Sequence, residues 1–116
     1  MTYVAPGTHL LIDLWGCSHL RDMTRIESAM REAATVCGAT VLEIMLHSFG
    51  ENAGITRVSI LAESHISIHT WPETGYAAID VFMCGDCNPA GAIPIFEKAF
   101  QSTKSNVSNH QRGQDN

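Results

Sequence analysis

With 116 residues, a formal charge of -5, 45% hydrophobic and 16% charged residues, the chain has the balance of one globular domain, large enough to bury most of its unfolded surface without staples. Its longest apolar run, around Leu10 to Leu14, is broken by Asp13 and falls far short of the ~20 residues of a membrane span, and no basic segment precedes it, so neither a span nor a signal peptide is expected. No Lys/Arg cluster exists to displace counterions, which argues against nucleic acid as a partner.

Thr8 to Trp15 (THLLIDLW) alternates, with Leu10, Ile12 and Leu14 on one side and His9, Leu11, Asp13 and Trp15 on the other, which predicts a strand ended by Gly16. From Ser18, an N-cap candidate, the period lengthens. Ile26, Met30, Ala33 and Cys37 fall at helical spacing, Glu27 and Arg31 form an i,i+4 pair, and Gly38 is a stop, so a helix is expected over about Leu20 to Cys37. Thr40 to His47 (TVLEIMLH) returns to period two, with Leu42, Ile44 and Leu46 opposite Val41, Glu43, Met45 and His47. After the loop Ser48 to Gly54, Ile55 to Ala62 and His65 to Trp71 read as two strands joined or kinked at Glu63 and Ser64.

Pro72 to Gly75 is a turn and Tyr76 to Met83 another strand. Cys84 to Pro89 (CGDCNP) is a loop leading to a short helix over about Ala92 to Phe100. Beyond Gln101 the chain is polar except for Val107, so a single domain over residues 1–101 and a flexible tail over 102–116 are expected. The order β-α-β-β-β-β-α predicts an α+β two-layer sandwich, a mainly antiparallel sheet with both helices on one face. The other face then mixes Leu11, Trp15, Val41 and Met45 with Asp13, Glu43 and His47. That mixture is too apolar for water and too polar for an ordinary core, so the sheets of two copies are expected to pack together in a homodimer. Cys17, Cys37, Cys84 and Cys87 are widely spaced, which suits reduced thiols in a cytoplasm better than a disulfide framework.

The stretch Leu61 to Pro72 (LAESHISIHTWP) crowds a carboxylate, hydroxyls, two imidazoles and an indole into one strand-like segment. Taken alone, Glu63-Ser64 is an ordinary polar strand end. If the backbone there is held strained, the Ser64 hydroxyl can attack the Glu63 carbonyl and turn the amide into an ester. Loss of the serine Cα proton breaks that ester by elimination, and the dehydroalanine hydrolyses to a pyruvoyl group with release of ammonia. His69 brings an imidazole, the side chain suited to acid and base work near neutral pH, and could supply the base or acid, although strict alternation places it on the face opposite Ser64 and so demands a bend. Cys84 could return a proton to a carbanion-like carbon, where the commoner role of an isolated cysteine is that of a small hydrophobe.

Glu73 could bind hydroxyls or a cation, or simply be a solvated turn residue. Phe49, Trp71 and Tyr76 could stack on a heterocycle, or be core aromatics. A rival reading makes His65, His69, Cys84 and Cys87 a Cys2His2 zinc site. Two histidines about 13 Å apart along an extended strand do not converge on one ion, so no metal is expected. Neither a Gly-rich phosphate loop nor a GxSxG elbow is present.

The run ESHISIHTWPE (Glu63 to Glu73), the segment YAAIDVFMCG (Tyr76 to Gly85) and the N-terminal GTHLLIDLWGC (Gly7 to Cys17) closely resemble the prokaryotic S-adenosylmethionine decarboxylase proenzymes. The resemblance extends to about Phe100. It implies self-cleavage between Glu63 and Ser64 into a β chain 1–63 and an α chain 64–116 that begins with a pyruvoyl group made from Ser64. That group would form a Schiff base with the amine of S-adenosylmethionine and take up the electrons left by CO2, supplying the aminopropyl donor for spermidine. His69 and Thr56, the latter where the family has a serine, would serve processing. Cys84 would be the proton donor, Glu73 would hold the ribose, and the αβ protomers would pair through their sheets. Alternatives are a pyruvoyl-dependent arginine decarboxylase of the same family and a non-enzymatic metal-binding α+β module.

Overall fold

The computed structural model describes residues 7–48, 54–61, 64–84 and 87–113. The elements are β1 (Gly7–Trp15), α1 (Met23–Cys37), β2 (Val41–Ser48), β3 (Ile55–Leu61), β4 (Ser64–Trp71), β5 (Tyr76–Cys84), a short 3-10 turn at Pro89–Gly91, α2 (Ala92–Phe100) and β6 (Lys104–Arg112). The strands form one antiparallel sheet in the order β2-β3-β4-β5-β1-β6, and the helices cover one face, as the alternation predicts. No helix among the described residues is long and apolar enough to cross a membrane.

Alternation decides what is buried. Leu10, Ile12 and Leu14 of β1, Ile66 and Ile68 of β4, and Ala77, Ile79, Val81 and Met83 of β5 close against Ile26, Met30 and Ala33 of α1 and Phe96 and Phe100 of α2. Arg57 is 5% exposed and ties β3 to α1, its Nη1 donating to the Met23 carbonyl at 3.1 Å and standing 3.2 Å from Glu27 Oε1. Thr70 Oγ1 accepts the Ile55 N–H at 2.9 Å and donates to the Leu20 carbonyl at 3.1 Å, which anchors the chain leading into α1.

Three expectations are corrected. The N-cap of α1 is Asp22, whose carboxylate accepts the Arg25 N–H at 3.0 Å, so the helix starts at Met23 instead of near Leu20. The stop at Gly38 does hold, with φ 87 and its N–H returned to the last turn. In β2 a bulge between Val41 and Glu43 shifts the register, so Val41 packs on the core side while Leu42, expected inside, is 65% exposed. The polar segment after Gln101 is not a free tail. Lys104–Arg112 lies antiparallel along β1 from Trp15↔Lys104 to Gly7↔Arg112, because backbone pairing needs no apolar side chains.

Candidate active site

The candidate residues form two clusters, one at each end of β4 and β5, with Ser64 at the same strand parity as the buried Ile66 and Ile68 and His69 on the uncovered face. At the first end Ser64 opens β4, and its Oγ accepts the Cys84 backbone N–H at 3.3 Å. The Cys84 amide thereby fixes the serine hydroxyl beside the last residue of β5, and both residues are half-buried. At the other end Thr56 Oγ1 and His69 Nδ1 are 3.0 Å apart across the β3–β4 pair, where Thr56 and His69 are register partners. Trp71 lies next to His69 with ring centroids 6.3 Å apart. Thr56, His69, Trp71 and Glu73 line an open groove of about 570 Å³. Phe49 and Glu63 lie outside the described residues.

The structure therefore brings together Ser64 with Cys84, and Thr56 with His69, Trp71 and Glu73, but does not bring the two sets together. β4 runs as regular strand from Ser64 to Trp71, without the bend that alternation had demanded. Five residues of strand separate Ser64 from His69 by about 16 Å, and they point to opposite faces. Likewise, among the described residues, His65, His69, Cys84 and Cys87 do not gather into one ligand set.

Between these ends lies a polar network that reading the sequence missed. Asp80, in the middle of β5, accepts Ser67 Oγ on Oδ1, while His9 Nε2 and His65 Nε2 stand 2.7 and 3.1 Å from Oδ2. The signal was present as an acid at an alternating position inside the otherwise apolar YAAIDVFM. Beside the His69 end, Trp15, Tyr76 and Trp71 stack in succession, with centroids 5.8 and 5.2 Å apart, and Lys104 Nζ lies 5.1 Å from the Trp15 ring.

Tyr76 donates its phenol to Asp13, and that hydrogen bond, with burial and the Asp13 charge added, pushes its pKa up from 10.0 to about 12. The bond needs the protonated phenol. Its stabilisation is complete below pH 10 and is lost as pH rises through about 12. In an absorbance titration of the folded protein, whose tyrosines are Tyr3 and Tyr76, one ionisation should therefore lag to about pH 12, and Tyr76→Phe should remove that late step. Cys17 and Cys37, by contrast, are pushed up by burial and remain thiols at neutral pH.

Residues 8–113 match the family described as S-adenosylmethionine decarboxylase. An S-adenosylmethionine decarboxylase proenzyme from Thermomicrobium roseum is 40% identical over 92% of this chain and 93% of its own length. One from Methanococcus maripaludis is 46% identical over 92% of this chain and 89% of its own. The crystal structure of the adenosylmethionine decarboxylase from Aquifex aeolicus superposes with a TM-score of 0.86 at 29% identity, covering 98% of this chain and 96% of that one. The chain belongs to the S-adenosylmethionine decarboxylase family.

Proposed function

We propose that the chain is a proenzyme that cleaves itself between Glu63 and Ser64 and then decarboxylates S-adenosylmethionine by means of a pyruvoyl group derived from Ser64. The observation that carries this reading is the Ser64 hydroxyl held 3.3 Å from the Cys84 amide at the start of β4. A small carbonyl group fits where the serine stands, next to the backbone N–H of Cys84, and its chemistry is to accept the electrons left as CO2 departs. In this reading the Cys84 thiol returns a proton at the reacting carbon. His69, hydrogen-bonded to Thr56, is the acid and base of the cleavage. Trp71 offers a stacking face for the adenine, and Glu73, on the rim of the same groove, accepts from the ribose hydroxyls. Four free cysteines fit a cytoplasmic setting.

The separation of the two clusters supports a homodimer that packs sheet on sheet. A two-fold axis lying between the sheets and crossing the strands lays the strand end where β4 begins and Cys84 closes β5 in one copy over the end carrying Thr56 and His69 in the other. Each site then draws on both chains, and the exposed Leu11, Trp71 and Ile60 of this face become covered.

Intact-mass measurement of the purified protein is the direct test. Two fragments are expected, the larger ending at Glu63, with CO2 released from S-adenosylmethionine and not from arginine. One stable chain of full mass rejects the proenzyme reading. Release from arginine alone makes it the arginine decarboxylase.

A further inference from the structure

The proposed chemistry does not use the Asp80 network, and its atoms are arranged as a ligand set. His9 Nε2, His65 Nε2 and an Asp80 carboxylate oxygen all lie within 4.8 Å of one another. Both imidazoles aim at the same oxygen, at 2.7 and 3.1 Å. Metal bonds of about 2.0–2.2 Å set roughly 90–110° apart separate neighbouring ligand atoms by about 3 Å, so an ion can enter with little movement of the side chains.

The surroundings fix these groups. The three residues lie on adjacent strands in register, His65 opposite Phe82 on β5 and His9 opposite the same Phe82 from β1. The Phe82 ring lies 5.4 Å from the His9 ring and 5.9 Å from the His65 ring, centroid to centroid, and stacks on His65. Ser67 holds Asp80 Oδ1, which leaves Oδ2 as the single carboxylate ligand.

We infer that His9, His65 and Asp80 form a binding site for a divalent transition metal, a two-imidazole, one-carboxylate set on the sheet face that the proposed homodimer covers, its remaining coordination positions directed into that interface. Imidazole ligands favour Zn(II), Ni(II) and Co(II) over Mg(II) or Ca(II). One contact works against the ion: Arg112 Nη1 stands 3.3 Å from His9 Nδ1, the nitrogen that must carry the proton once Nε2 binds a metal. Arg112 ends β6, so the strand that completes the sheet also sets the affinity. The site stands apart from the decarboxylase reading, and its test needs no activity.

The experiment is a calorimetric titration of the full-length protein with Zn(II), Ni(II) and, separately, Co(II), the last followed by its visible spectrum. One ion per chain is expected, with no sulfur-to-cobalt charge-transfer band and no response to millimolar Mg(II). His65→Gln and Asp80→Asn should each weaken binding by more than the about 10–100-fold typical of losing a group behind the ligands, and Ser67→Ala by about that range. Arg112→Gln should tighten it. If Asp80→Asn fails to fold, His65→Gln decides, because that side chain is 43% exposed. Absence of binding, a thiolate band that disappears in Cys87→Ser, or undiminished affinity in His65→Gln each overturns the proposal.

Discussion

Ser64→Ala is expected to yield a folded protein of a single full-length mass, without cleavage at any incubation time and without CO2 release. The substitution removes the one hydroxyl held against the Cys84 amide and adds no volume, so packing is kept. It also removes the nucleophile and the atoms from which the carbonyl group is made, so both steps fail together. The loss of activity should be complete, since no other residue at that bond can form the ester. Mass spectrometry with circular dichroism checks it: cleavage at the same bond in the variant rejects Ser64 as nucleophile, and an unchanged spectrum shows that the loss is chemical and not structural.

The second large effect tests how the two ends of the sheet cooperate. His69→Ala alone should process poorly, because it empties the imidazole that pairs with Thr56. When His69→Ala and Ser64→Ala chains are produced together, mixed dimers should regain cleavage. In a mixed dimer one site receives an intact Ser64 from one copy and an intact His69 from the other. Only the His69→Ala chain can be cut, so its two fragments should appear in a mass spectrum where neither parent alone gives them. No fragments from the mixture would mean that Ser64 and His69 act within one chain, which requires the end of β4 to leave the sheet. The roughly 16 Å between them along a regular strand argues for the first outcome.

Most of the architecture was legible because it rests on local chemistry. The period of two in THLLIDLW and YAAIDVFM, the helical spacing of Ile26, Met30, Ala33 and Cys37, and the glycine stop at Gly38 each name an element without knowledge of its neighbours. The errors fall where a partner decides. Parity alone puts Leu42 in the core, and a bulge set by pairing with β3 turns it outward. Residues 104–112 carry almost no apolar signal, and only the free edge of β1 explains why they form a strand. Asp22 displaced Ser18 as cap because the turn at His19, with φ 66, delays the helix.

The amino-acid sequence by itself determined the family: the Glu63-Ser64 bond, His69, Cys84 and Glu73, the residues proposed to carry the chemistry, stand in runs specific enough to name it, since side-chain type and spacing along the chain are linear properties. Only the tertiary structure decided how they are grouped. Strand register is a relation between segments distant in the chain. Register sets Ser64 beside Cys84, seats His69 against Thr56 at the far end of β4, and gathers His9, His65 and Asp80 from three strands onto one point of the sheet.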